Sequence, residues 1–494
     1  MSKRSAAVIL YAALLIASVL QVFQSIVIAH FFDPEYLAPY RYGILAAGFA
    51  YLFATGLIES VFFFISGKYA PDARRYVGNT LVSCTLIFLV LLLLFEGVLD
   101  PYVLIHTELG PYLREIGAYL LIALFLFVNM TAHNALVGSG HTAAASALRV
   151  FQYLLRILAI AGALFSGLIA AIHPLILLIV VLEGIQSLLY GLVLLNRKLL
   201  SFRLRGIETR AQYRYAFGLG VAGFIPFING SLDKIMISAF LGASSFAIYS
   251  VSAIELPIAT ILMSVFGSVL FSTYVGYAES GDHSSMAALW RKCSKYGMIV
   301  IVPAGIFVFL FSDVLYRLIL PDAYFEGHRV LGIYALLLLL RFNSPDVLAR
   351  ALNRNAIIVQ AATAMLIVNV AGNLVFINTF GLWGAALATL CGTAAGWIYY
   401  LARYARLLKQ PVSALLPWKP YVSLVVTSAG FFGAARWTFD RVEVSAVPVI
   451  LGAALVILGA AAYLWYAFSL LEKPEKAFVR DLARKMGVPL RPTD

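Results

Sequence analysis

The chain has 494 residues, 62% of them hydrophobic and 12% charged, with a mean hydropathy of +0.91. No soluble globular domain has that composition. The net charge of +12 does not mark a nucleic-acid binder, because the basic residues are scattered between apolar runs instead of gathered in one stripe. Of the three cysteines, Cys84 and Cys391 lie inside apolar runs and Cys293 at the edge of another, which argues against a disulfide framework or a metal site.

Apolar runs recur along the chain, each long enough to cross about 30 Å of hydrocarbon as a helix. The first follows Met1-Ser-Lys-Arg4 and continues past Gln21 to Ala29 without a small-residue cleavage site, so it reads as a transmembrane helix and not as a signal peptide. The predicted spans are 6–30, 40–66, 78–98, 114–138, 146–169, 173–195, 214–241, 246–275, 294–319, 329–350, 355–378, 381–404, 420–437 and 446–471, about fourteen in all. Basic loops alternate with short or acidic ones. Lys3 and Arg4, Arg74 and Arg75, the 196–214 loop, Arg291 to Lys295, Arg403 to Lys419 and the tail fall on one side, which the positive-inside rule assigns to the cytoplasm together with both termini.

Domain boundaries follow from this pattern: six helices in 1–195, a cytoplasmic amphipathic linker at 196–213, six helices in 214–410, two more in 411–471 and a cytoplasmic tail at 472–494. Leu199, Leu200, Phe202 and Leu204 mixed with arginines suit a linker lying on the membrane surface. An internal repeat supports the two halves. QSIVIAHFF (24–32) aligns without a gap on DKIMISAFL (233–241), each followed by a tyrosine, Tyr42 or Tyr249, and ALVGSGHTAAA (135–145) pairs with ALNRNAIIVQA (351–361). Offsets near 210 residues with matching topology predict an all-α integral membrane protein of two pseudo-symmetric six-helix bundles plus two C-terminal helices.

The charged pair followed by ISAFLGASSFAIYS, then YAESGDHSSMAALWRKCSKYG, SDVLYRLILPDAYFEGHRVLGIYAL and NVAGNLVFINTFGLWGAALATL, resembles the multidrug/oligosaccharidyl-lipid/polysaccharide (MOP) flippase superfamily. Within it, the likeness is to the polysaccharide transporter branch of O-antigen and exopolysaccharide flippases. That resemblance implies a V-shaped pair of bundles around a cavity opening alternately to each side. It further implies movement of undecaprenyl-(pyro)phosphate-linked oligosaccharide from the inner to the outer leaflet of a bacterial cytoplasmic membrane. The expected partners are that lipid-linked substrate, membrane lipids and polysaccharide polymerase machinery, with no nucleic acid and a monomeric state.

No phosphate-binding GxxxxGKS loop, HExxH or GxSxG motif occurs, so neither ATP-driven pumping nor hydrolysis is expected, and no organic cofactor or metal. Charged residues inside spans carry the functional reading. Cationic candidates for the pyrophosphate are Arg41, Arg149, Arg156, Lys234 and Arg341, since arginine makes bidentate phosphate contacts. Arg350 reads as snorkelling to headgroups. Arg149 and Arg156 share a helix face about 10 Å apart. Among acidic residues, Glu59, Asp233 and Glu255 are candidates for proton or sodium coupling or for gating, and Glu183 and Asp346 complete the set. A salt bridge from Asp233 at the outer gate is the expectation for that residue, because Asp233 and Lys234 point about 100° apart on a helix and cannot pair with each other. Asn129, His133 and Asn134 are candidates to contact sugar or to join helices. Pro226 with Gly230, and Pro257, are candidate helix breaks.

Three other readings stand beside the flippase. A drug or cation antiporter of the same superfamily predicts an acid-rich cavity, whereas several deep charges here are arginines. Peptidoglycan-precursor (lipid II) flippases place an arginine in span one, which this chain lacks. A membrane-embedded glycan polymerase or ligase would carry large outer loops.

Overall fold

A computed structural model describes residues 3–95, 116–203, 207–254 and 270–441. Among these residues there is no strand, and 11 helices are long and apolar enough to cross a membrane. In chain order the helices are α1 (Lys3–Phe31), α2 (Pro34–Phe64), α3 (Ala73–Leu94), α4 (Ile116–Gly138), α5 (Thr142–Phe165), α6 (Ile172–Asn196), α7 (Thr209–Ser252), α8 (Phe271–Glu279), α9 (His283–Leu310), α10 (Ser312–Ile319), α11 (His328–Leu337), α12 (Val347–Ala351), α13 (Ala356–Phe380), α14 (Leu382–Leu407), α15 (Val412–Leu415) and α16 (Trp418–Arg441). Only helices satisfy their backbone groups internally without water, which is why uninterrupted apolar runs become them.

By packing, the described chain forms two compact units. The first takes residues up to Ile261 with Asp313–Tyr334 and Arg354–Tyr400, and the second takes Leu262–Ser312, Ala335–Asn353 and the chain from Leu401. The first unit is held by α2 lying along α7, with α1 against α5, α4 against α2 and α6, and α13 against α7. Small residues let α2 and α7 approach closely: a Cβ on Gly56 would stand 2.1 Å from the Ala216 carbonyl oxygen and 2.8 Å from the Gly220 nitrogen. Buried apolar side chains, among them Ile28, Leu37, Ile58, Phe127, Ile160, Ile176 and Ile237, fill its core. In the second unit α9 packs against α15 and α16, and a Cβ on Gly297 would meet the Phe342 carbonyl oxygen at 1.7 Å.

Several expectations change. α7 runs through Pro226 and Gly230 without interruption, and the break comes at Gly242, whose φ of 85° and ψ of −178° are non-helical. Spans seven and eight are thus joined by one glycine, because only a residue without Cβ adopts that backbone freely. Span nine begins earlier than its apolar run: α9 starts at His283, where the Asp282 side chain accepts a hydrogen bond from the Ser285 N–H at 2.9 Å and caps the helix. Span ten is not one helix. It passes from α11 through a 3-10 turn at Leu338–Leu340 and a non-helical stretch before α12. Pro257, span fourteen and the tail lie outside the described residues.

Candidate functional site

Gln21, Gln24 and Ser25 interrupt the apolar sequence of α1 at spacings of three and four, so they share one face. That face opens on a cavity of about 330 Å³, lined by Ser18, Gln21, Gln24 and Ser25 of α1, Tyr40 and Arg41 of α2, and Arg156 of α5. Arg41 donates a hydrogen bond to Ser25 Oγ, and Gln24 Nε2 donates to the Tyr40 hydroxyl at 3.5 Å. Three polar atoms around the cavity are buried without a hydrogen-bond partner: Arg41 Nε, Arg156 Nε and Gln24 Oε1. Buried polar atoms are normally paired. Both arginines line this one cavity, and each keeps a buried Nε that no described group satisfies.

Arg156 also forms an ion pair with Glu183 of α6, whose side chain is fully buried. The Glu183 carboxylate accepts further hydrogen bonds from Asn129 Nδ2 at 2.8 Å and from Gln152 Nε2 at 3.0 Å. Ser187 Oγ donates to Asn129 Oδ1 at 2.9 Å, closing the network. A buried carboxylate with a cation and two amides is compensated on every side. The network fixes Arg156 at the cavity wall. Glu183 offsets one of the two arginine charges, leaving the site net positive.

A second constellation surrounds Asp233, which is 1% exposed. The expected salt bridge is absent among the described residues. Instead Asp233 Oδ2 accepts hydrogen bonds from the Tyr249 hydroxyl at 2.5 Å, the Tyr334 hydroxyl at 2.9 Å and Thr389 Oγ1 at 3.4 Å, while Oδ1 accepts from the Lys234 N–H at 2.9 Å. The Tyr249 hydroxyl from beyond the Gly242 break of the same helix and the Tyr334 and Thr389 hydroxyls from other segments face this carboxyl, so hydroxyls and not cations satisfy it. Asn369 Nδ2 donates to Thr389 Oγ1 at 3.1 Å and Asn373 Nδ2 to Asn369 Oδ1 at 2.7 Å, extending the chain of polar groups.

The two constellations display the internal repeat. Gln24 bonds Tyr40 and Asp233 bonds Tyr249, in each case sixteen residues later. Tyr249 therefore corresponds to Tyr40, and not to Tyr42 as the motif alignment has it; Tyr42 instead meets Ser238 at 2.6 Å.

The other predicted residues are dispersed. Lys234 is half-buried on α7, and no described residue bonds its side chain. Arg149 is half-buried on α5, and Glu59 is exposed on α2. Arg341 belongs to the second unit, at the end of the 3-10 turn and not within a helix, where its N–H bonds the Leu338 carbonyl at 3.0 Å. Arg350 pairs with Asp346 within one helical turn. Asn129, His133 and Asn134 are buried: Asn129 serves Glu183, Asn134 donates to the Ile58 carbonyl at 3.1 Å, and His133 lies 3.4 Å from the Tyr190 hydroxyl. Their described bonds join helices, and none of the three lines the cavity. Glu255 lies outside the described residues. Gln24, Ser25 and Tyr40 carry no charge, so charge inside a span does not mark them; the polar spacing on α1 and the match of Gln24 and Ser25 to Asp233 and Lys234 in the repeat are their signals in the sequence.

Residues 144–329 match the family described as polysaccharide biosynthesis protein. An uncharacterized membrane protein of Methanocaldococcus jannaschii is 25% identical over 240 residues, covering 46% of this chain and 46% of that protein, so the match spans about half the length of the relative. Among solved structures, lipid II flippase MurJ in an inward closed conformation superimposes with a TM-score of 0.70 at 14% identity, over 96% of this chain and 99% of its own. An inward-facing multidrug resistance MATE family transporter of the MOP superfamily gives 0.63 at 14% identity over 82% and 99%. A MOP superfamily transporter from Pyrococcus furiosus, described as having a binding pocket of reverse polarity, gives 0.59 at 15% identity over 82% and 96%. Residues 144–329 thus resemble a polysaccharide biosynthesis family, and the chain as a whole is an all-helical, multi-pass membrane protein with the fold of these transporters.

Proposed function

We propose that the chain moves a lipid-linked oligosaccharide, carried on a polyprenyl phosphate or pyrophosphate, from the cytoplasmic to the outer leaflet of a bacterial cytoplasmic membrane by alternating access. The observation that carries this reading is the cavity walled by Arg41 and Arg156, where two buried guanidinium nitrogens lack partners. An anionic headgroup crossing hydrocarbon needs compensating charge, and bidentate arginine donors supply it. At about 330 Å³ the cavity is at the small end of the roughly 300–1,000 Å³ typical of ligand sites, so it suits the phosphates and not a whole glycan. The Asp233 constellation is the proposed coupling site for a proton or sodium ion. Membrane lipids and polysaccharide polymerase machinery are the proposed partners.

A lipid II flippase is the second reading, and one observation favours it. Span one lacks an arginine, but Arg41 of α2 bonds Ser25 of α1 and so places a cation on that helix.

The test is transport of labelled undecaprenyl-pyrophosphate oligosaccharide in sealed proteoliposomes. Arg41→Gln combined with Arg156→Gln and Glu183→Gln removes both cations without stranding the carboxylate. Movement by the wild type and its loss in this folded variant is the expected result. Movement of organic cations but of no lipid by the wild type would replace this reading with the antiporter.

A further inference from the structure

The second unit holds a basic cavity that no step of transport uses. It measures about 600 Å³ and lies where α9 meets α15 and the start of α16, lined by Ser284, Ala288, Arg291, Lys292 and Lys295 on one side and by Gln410, Ala414, Pro417 and Pro420 on the other. Ser284, Ala288, Arg291 and Lys295 recur at helical spacing and share a face of α9. Alanines at 287, 288 and 414 leave the space open, and three cations stand over it.

We propose that this cavity binds a phosphate group, presented by the headgroup of an anionic phospholipid in the leaflet that the basic loops assign to the cytoplasm. Three features favour a lipid as the source. The lining is mixed: cations and amide on one part, alanine and proline on another, as an amphiphile's phosphate and glycerol would require. The cavity sits at the end of α9 where the charged first turns give way to the apolar run from Met298 to Leu310, which is headgroup depth for a spanning helix. Trp418, 40% exposed, stands next to the lining at the start of α16, the position interfacial tryptophans occupy. Basic clusters of this kind between spanning helices recognise anionic headgroups. Arg291 is exposed and no described residue bonds its side chain, while Lys292 and Lys295 have interactions within the chain that a phosphate would share. A lipid here would tie α9 to α15 and α16.

Full-length protein purified in detergent and stripped of lipid is the material for the test. Phosphatidylglycerol, phosphatidylcholine and inorganic phosphate are titrated separately, with native mass spectrometry and thermal unfolding as readouts. Expected are a bound phosphatidylglycerol and a raised Tm, with neither from phosphatidylcholine. Arg291→Gln with Lys295→Gln should weaken phosphatidylglycerol binding at least about tenfold, since each basic residue near an anionic surface contributes roughly fivefold. Ala288→Leu keeps every cation and fills the cavity; it should weaken binding as well, and it covers the case in which the charge variant does not fold. Equal protection by millimolar inorganic phosphate would overturn the lipid source. Unchanged phosphatidylglycerol binding in the folded variants would overturn the site.

Discussion

At the scale of single residues, the decisive features are pairings. Arg156 and Glu183 are 27 positions apart on different helices, and hydropathy cannot show that they meet, because the rotation and depth of two apolar helices set the contact. Their charges were legible and their partnership was not. The same holds for Asp233, whose burial was foreseeable and whose tyrosine partners were not. Removing one member of a buried ion pair leaves the other uncompensated, at a cost of about 3–5 kcal/mol. Arg156→Ala should therefore lower thermal stability sharply in detergent, and adding Glu183→Gln to it should restore most of the loss. A double-mutant cycle on unfolding midpoints checks this, and additive effects of the two substitutions would contradict the pairing.

Elements were the most legible level, and their failures are instructive. Length and hydropathy locate the spanning helices because a bilayer admits little else, yet they do not report where a helix breaks. Pro226 with Gly230 has the composition of a break and stays helical, whereas Gly242 looks ordinary in sequence and carries φ of 85°. No atom lies within 4 Å of a Cβ built on Gly242, so its cost on substitution is conformational alone. Gly242→Ala should destabilise by about 1–3 kcal/mol, read as a lowered unfolding midpoint, while Gly230→Ala, within continuous helix, should be neutral or stabilising. The N-terminus of α9 gives a pH-dependent test. Hydrogen bonds from the Ser285 hydroxyl and N–H hold the Asp282 carboxyl below the ordinary aspartate range. A group with a lowered folded value contributes stability above its unfolded value, about 3.9, and loses that contribution as pH falls through the folded one. Wild type should lose a small increment of stability on acidification below about pH 4 that Asp282→Ala does not show. Comparing the two proteins' midpoints from pH 6 to pH 3 would reveal it.

At the scale of the whole molecule, the repeat was visible in sequence because gapless motifs survive, but its meaning lies in contacts. One half places an uncharged Gln24 where the other places Asp233, each bonded to the tyrosine sixteen residues later. Duplicated positions have thus taken different chemistry: the copy on α1 and α2 borders the arginine cavity, and the copy on α7 holds a carboxyl that hydroxyls, not cations, satisfy. A carboxyl with no counter-cation among the described residues can gain a proton or sodium ion without first breaking an ion pair, so we assign the proposed coupling to the second copy and the proposed anion binding to the first. The two functions should separate by mutation. Asp233→Asn keeps an oxygen to accept from Tyr249 and Tyr334, so the fold should persist, and binding of pyrophosphate-bearing lipid should stay within about twofold of wild type as expected for sites without shared partners. Its transport should lose dependence on the proton or sodium gradient. Arg41→Gln should do the converse, weakening lipid binding while gradient-driven ion uptake persists. Measuring lipid affinity and ion uptake on both variants decides the matter: if Asp233→Asn abolished lipid binding in folded protein, the two copies would form one site, and the division of labour along the repeat would be wrong.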